Sequence, residues 1–498
     1  MKKRILLLLV AMIGMATSAG WAQDDGTTPE EPTTPDTNTK LTKEENVDFK
    51  GGKDFIFVYA NGNPVTVTEG DDGNTVITMD GQNGESITIA KDKANKLYLF
   101  GGSKNGTVTS SKITVTNGTL GSVFGGGYGE LSSKTTAEVT GASTIIVNGG
   151  TIHNIMGGGL YYSKVGSTDI TITNVTTTTD SWVICGGLES GKTLTGGSGN
   201  KYPTFDQSTN TVGKGNLTIT GGKFCYIGIG GTDGTQGYVK EATATISNAE
   251  IVGLFGNGSN GASDKVSGII TGCTFASRTY QNSKGSVTLP VEVASINRGH
   301  VKDVALTFNG CTFPTETESY VGGTTSWKSG YKGSGVQVIN PGTISYTFKG
   351  CTNTPALCLS DGLEAANVEV TGAKVKVAPF SNGVDAQVKA FTLAAGNIWA
   401  FNDGMEIMED ASLANNGTLK VGAPDVASIA AAIKAGANEI DLVSGTTYEL
   451  TKPLVIEKAL TLTSDGEAKA TIKGKLIVEA ENVAIKNLAF DCHSTGTN

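Results

Sequence analysis

The chain has 498 residues, 38 of them Lys or Arg against 47 Asp or Glu, for a formal net charge of −9. That balance excludes nucleic acid and anionic membranes as partners, because both need a basic footprint, and it makes acidic polysaccharides poor partners unless a divalent cation bridges them. With 69 Gly in no collagen-type period, 12 Pro and only 17% charged residues, about twice the usual glycine share of about 7%, the composition is that of an all-β chain with many tight turns rather than a helical or fibrous one.

Lys2, Lys3 and Arg4 precede an apolar run from Ile5 to Met15, and Gly20-Trp21-Ala22 places small residues just before Gln23. This is the pattern of a secretory signal peptide spanning residues 1–22. It implies a secreted or cell-surface protein that becomes more acidic when its three leading cations leave. No Cys lies near the cut to carry a lipid, and no later window is apolar enough to span a membrane. Residues 23–46 are rich in Thr, Pro and acids, cannot bury a core, and are expected to be a disordered spacer.

From 47 to 423 one unit recurs: ITIAKDKANKLYLFGG from 87, ITVTNGTLGSVFGGG from 113, IIVNGGTIHNIMGGG from 145, ITITNVTTTTDSWVICGG from 170, LTITGGKFCYIGIGG from 217 and ATISNAEIVGLFGNG from 244. Weaker copies start at 268, 305, 346 and 368, so the spacing runs from 22 to 47 residues. Each unit has a strand alternating apolar residues with Thr, a turn of the Asn117-Gly118 kind that tolerates positive φ, and a second short strand ended by a glycine run. One such unit has an apolar face it cannot bury alone, and stacking unit on unit buries a continuous core. The expected fold is a right-handed parallel β-helix, the hand following the preference of parallel crossover connections. The glycine runs are expected at one corner of the coil, where they permit unusual backbone angles and let adjacent coils approach. Long spacings mark inserted loops near 188–214, 276–300 and 314–340, the natural places for a ligand.

Seven Cys are dispersed along the chain, too few for the dense framework of small disulfide-rich domains. Cys273, Cys311 and Cys351 share the context Gly-Cys-Thr in successive units and should stack, as small buried side chains in preference to a disulfide between rungs. Tyr128, Tyr161 and Tyr162 follow glycine triplets and Trp182 precedes Gly186-Gly187; exposed rings on a rigid ladder could stack on sugar faces. The Thr-x-Thr strands could form a water-ordering face of the ice-binding kind, but inserts are expected to interrupt that ladder, leaving Thr as an ordinary outward strand residue. Gly230-Gly231-Thr232-Asp233-Gly234 is similar to calcium-binding glycine-rich repeats but occurs once, which leaves calcium as the one cofactor still open and no metal-ligand set defined.

Composition shifts at 424. Asp425 is a plausible N-cap, Val426, Ile429, Ala430 and Ile433 lie on one helical face, and Gly436 can close the helix. The strands that follow, with LTLTSDG, ATIKG and NVAIKNLAF, make residues 424–498 resemble the opening of pectin-lyase-like right-handed β-helix domains: a short amphipathic helix, then a second and incomplete β-helix segment. The glycine-rich units upstream resemble adhesin-like β-helix proteins of bacterial surfaces. The resemblance implies a fold more than an activity. Enzymes of that fold need bases and paired or metal-holding carboxylates in adjacent coils. Past the leader this chain has two Arg, Arg278 and Arg298, and it has three His in all. The best catalytic candidates are Arg298, His300, Lys302 and Asp303, without the neighbouring Asn-x-Asp and Asp-Asp elements. The expectation is therefore a non-catalytic structural or adhesive protein binding a polysaccharide or a host or bacterial surface ligand. A polysaccharide lyase or glycoside hydrolase is the alternative.

Overall fold

The computed structural model describes residues 40–491, apart from 50–52, 82–83, 189–204, 232–236, 283–284, 297, 316, 324–341, 361–362, 364, 382–386 and 389. The leader, residues 23–39, Thr232-Asp233-Gly234, Cys492 and His493 lie outside the described residues.

The chain is all-β and repeat-built, with two long, mostly parallel sheets. A typical unit gives one strand to each. Ser111–Val115, Ala137–Val147, Ser163–Thr173, Asn210–Thr220 and Gly237–Ser247 pair in that order in one sheet. Thr119–Phe124 and Thr151–Met156 pair in the other, as do Lys223–Gly228 and Glu250–Phe255. The turn between the two strands holds a residue at positive φ in successive units, Asn174 at 54°, Gly221 at 65°, Asn248 at 54° and Gly272 at 60°. Asn and Gly recur there because they enter the left-handed region at least cost.

The alternation read from sequence sets the register. Val65, Ile113, Ile145, Ile170 and Leu217 form one inward column, one residue per rung, and all are buried. Where that column shrinks to Ala244 and Gly268 it grows again to Leu306 and Tyr346, so large and small residues alternate along one core. The outward row beside it runs Thr66, Thr114, Ile146, Thr171, Thr218, Thr245, Ile269, Thr307, Thr347 without a missed rung. The expectation that inserts interrupt this ladder is therefore overturned. Among the described residues the strands of this row stay in register from rung to rung.

Two N-terminal expectations also change. Residues 42–46, assigned to the spacer, belong to the strand Thr42–Phe49, which pairs antiparallel with Lys53–Tyr59. Its charges suit a strand that covers an open sheet edge and resists further pairing. In the unit that starts at 87 only the second strand is a parallel rung, Leu97–Phe100 between Lys53–Tyr59 and Thr119–Phe124; its first, Ser86–Ile89, pairs antiparallel with Thr75–Met79, which pairs antiparallel with Pro64–Glu69. The first parallel rung of the second sheet is Pro64–Glu69 itself.

At the other end the composition shift marks an inserted helix within a continuous ladder. Thr418–Ala423 pairs with Glu439–Leu442, then Thr461–Ser464, then Ala484–Ile485. The helix Val426–Lys434 lies between the first two and packs against Met405–Ile407, the last strand of the other sheet. Asp425 caps it, accepting from Ser428 N at 2.7 Å, and Gly436 closes it at φ 69°. Its buried residues are Ser428, Ile429 and Ala432; Ala430 is exposed. Among the described residues no helix is long and apolar enough to cross a membrane.

Candidate functional site

The glycine corners decide what the first sheet can display. Gly101, Gly125, Gly157 and their successors stack rung on rung, with Gly102 N donating to Gly126 O at 3.1 Å and Gly126 N to Gly158 O at 3.1 Å. None of residues 101, 102, 125–127 and 157–159 has a positive φ, so the expected backbone freedom is not why glycine is there. Space is: a Cβ on Gly102, Gly126 or Gly158 would lie 2.7 Å from the backbone N of Gly127, Gly159 or Gly187.

That close turn returns the chain across the outer face of the first sheet. Tyr128–Gly129 and Leu160–Tyr161 form a small parallel pair there, packed with Phe57, Tyr59, Phe100, Phe124 and Met156. Phe100 stacks on Phe124 at 4.8 Å, and Tyr128 meets Phe57 at 5.6 Å and Tyr161 at 5.6 Å. Tyr161 is buried and Tyr128 and Tyr162 are half-buried. The expected exposure is thus overturned for Tyr161, while Tyr128 and Tyr162 keep part of theirs; all three pack in a second apolar cluster outside the main core. Burial pushes the Tyr128 phenol up to about 12, with Tyr161, Glu130 and Glu44 adding to it. Tyr161 holds φ 60°, which costs a residue with a Cβ about 1–2 kcal/mol, and its N–H donates to Leu188 O at 2.9 Å.

Trp182 is placed differently. It sits at the edge of this cover, half-buried, in register with Tyr226 of the next rung. The two rings lie 5.0 Å apart at 32°, above Phe255, which is 5.6 Å from Trp182 and 6.1 Å from Tyr226. Trp182 N donates to Asn154 Oδ1 at 2.9 Å, and His153 Nδ1 shares a hydrogen bond with Thr178 Oγ1 at 2.6 Å. Burial raises the Tyr226 phenol, and Asp180, Cys225, Glu292 and Tyr280 raise it further. The described residues of the insert at 276–300 form a hairpin of Arg278–Asn282 and Gly285–Leu289, followed by strands of both sheets. Arg278 ties it down, donating to Thr177 O at 2.9 Å and Cys225 Sγ at 3.4 Å, and Leu289 covers Cys225 and Val252. The result is a tilted aromatic platform with Asn154 beside it, on a parallel sheet. Tyr226 escaped the sequence reading, although SWVICGG and KFCYIGIGG align it with Trp182.

The catalytic candidates are elsewhere. Arg298, His300, Lys302 and Asp303 all lie in Arg298–Asn309, a strand of the second sheet, where residue 298 is in backbone register with 259 and residue 300 with 262. Lys302 is exposed; Asp303 is half-buried and in register with Lys265. The four residues open a regular strand, so Arg298 and His300, at the end of the inserted loop expected at 276–300, belong to a strand instead. Among the described residues no group of three or more His, Cys, Asp or Glu could hold a metal ion. Cys273, Cys311 and Cys351 do follow one another across rungs, as Thr274, Thr312 and Thr352 bridge in parallel, and all three are free thiols. The hydrogen bond to Cys273, then burial, holds the Cys311 thiol well above its usual range. A cleft of about 200 Å³ opens against the first strand pair, lined by Glu45, Asp54, Phe55, Lys93 and Lys96 among others; its mixed charges suit a solvated edge. Compared with known proteins, the chain matches no family model, no curated protein and no solved structure.

Proposed function

We propose that this chain is a right-handed parallel β-helix, secreted and held at a cell surface, whose role is adhesive and whose partner is a glycan on a host or bacterial surface. One observation carries the reading: Trp182 and Tyr226, half-buried and 5.0 Å apart, form a tilted platform beside Asn154. An aromatic pair of this kind presents a large rigid apolar area while neighbouring polar groups meet hydroxyls. The parallel register and the repeat support the β-helix, and the preference of parallel crossovers supports its hand. The platform and the strand holding Lys302 and Asp303 belong to different sheets, which favours binding over chemistry at one convergent centre. Calcium remains a candidate bridging ion for an acidic glycan. The test is a panel of host, plant and microbial glycans titrated against the mature chain, with and without calcium. Saturable binding that falls about tenfold or more in Trp182→Ala and Tyr226→Ala, with unchanged circular dichroism, supports the reading. Binding that is unaffected by both changes contradicts it.

A further inference from the structure

The weaker repeats bring three thiols into one column at the turn that follows the second-sheet strand. Cys273, Cys311 and Cys351 each follow a glycine at positive φ, Gly272 at 60°, Gly310 at 58° and Gly350 at 59°, so each leaves the same turn in the same direction. The rungs are locked in register there, with Thr312 N donating to Cys273 O at 2.9 Å and Thr352 N to Cys311 O at 2.8 Å. The sulfurs repeat one pose as well. Cys311 Sγ donates to Ile270 O at 3.4 Å and Cys351 Sγ to Phe308 O at 3.5 Å, and Ile270 and Phe308 are themselves paired across the second sheet. Cys311 thus has a thiol neighbour on each side, and its side chain interacts directly with both. Exposure separates the three: Cys273 and Cys311 are buried, and Cys351 is half-buried.

We propose that these thiols are a modification site, a relay that takes up a small organic disulfide at Cys351 and converts it into a bond between Cys273 and Cys311. Neighbouring rungs put the Cα atoms about 4.8 Å apart, inside the range of about 4.4–6.8 Å that a disulfide spans. Cys273 and Cys351 are two rungs apart, about 9.6 Å, so every bond within the column includes Cys311. A buried thiol is out of reach of a dissolved disulfide, which leaves Cys351 as the entry. The Cys351 thiolate attacks one sulfur of the small disulfide, forming a mixed disulfide and releasing one small thiol. The Cys311 thiolate then attacks the Cys351 sulfur, forming the Cys311–Cys351 bond and releasing the second small thiol. Cys273 attacks the Cys311 sulfur last and returns Cys351 as a thiol. Two protein thiols are oxidised, one small disulfide is reduced to two thiols, and two protein protons leave with them. The last transfer removes the S–H groups of the two buried residues and keeps one at Cys351, where Phe308 O accepts it. The finished bond joins the chain on either side of the insert at 276–300, fixing the roots of the hairpin whose Arg278 donates to Thr177 O.

The experiment starts from the reduced mature chain. It is incubated with oxidised glutathione, quenched in acid, alkylated and mapped at every cysteine, beside Cys351→Ser and Cys273→Ser, with circular dichroism as the check on folding. The expected result is one Cys273–Cys311 bond per chain with Cys351 alkylated. In Cys351→Ser that bond should form at least about tenfold more slowly, because the accessible thiol is gone. In Cys273→Ser the relay should stop at Cys311–Cys351. The proposal is overturned if no bond to Cys311 forms in the wild type, if Cys311 pairs with a cysteine outside the column, or if Cys351→Ser forms the buried bond at the wild-type rate.

Discussion

At the scale of single residues, glycine here answers a demand for space more than for backbone angle. Gly126 sits where a Cβ would press on the backbone of the next rung at 2.7 Å, and that backbone cannot move without opening the ladder. Gly126→Ala should therefore cost about 3 kcal/mol or more. Gly350 is the contrasting case, with φ 59° and nothing within 4 Å of a built Cβ; its change to Ala should cost about 1–2 kcal/mol through backbone strain alone. Urea unfolding of both variants measures the difference, and equal losses would contradict the steric account. The triplets were plain in the sequence; their reason was not, because a string of letters does not say whether a glycine is needed for its φ or for its missing Cβ.

At the scale of elements, the helix Val426–Lys434 shows both how far the sequence can be read and where reading stops. Its N-cap and its closing glycine were legible because they are local, each set by one side chain or one φ. Its buried face was half legible, because Ala430, Ala431 and Ala432 give no apolar contrast and packing against Met405–Ile407 made the choice. Partial burial pushes the Asp425 carboxyl up, but hydrogen bonds from Ser428 and the ammonium of Lys374, 3.6 Å away, outweigh that and hold it below its usual value of 3.8. Its contribution is complete above pH 3.8 and is lost as pH falls through the depressed folded value. Asp425→Ala should cost about 1 kcal/mol at neutral pH, and the gap to the wild type in thermal unfolding should close on acidification. A gap independent of pH would place the effect outside the cap. The corner strands 128–129 and 160–161 were not legible as a cover, since Tyr128 and Tyr161 look the same in sequence whether they face water or Phe100 and Phe124.

At the scale of the whole chain, the repeat, the all-β class and the parallel pairing were legible because apolar alternation recurs from Ile113 to Val370 and only one face of each strand can be buried. The true start of the ladder at Pro64 was hidden by the antiparallel excursion through residues 75–89, which has the same alternation. The aromatic platform was half visible: Trp182 stood out, while Tyr226 needed the register to bring it to 5.0 Å. Platform and cysteine column alike depend on one claim, that strands separated by long inserts are in-register neighbours. The most direct test is cysteine cross-linking on the outward row with a short bifunctional thiol reagent, since most of the native thiols in the described ladder are buried. Thr171→Cys/Thr218→Cys spans one rung of about 4.8 Å, and Thr171→Cys/Thr245→Cys spans two, about 9.6 Å. The account predicts efficient cross-linking of the first pair, which closes a loop over the insert at 189–204, and little of the second. Preferential linking of Thr171→Cys to Thr245→Cys, or no linking of either pair, would contradict it.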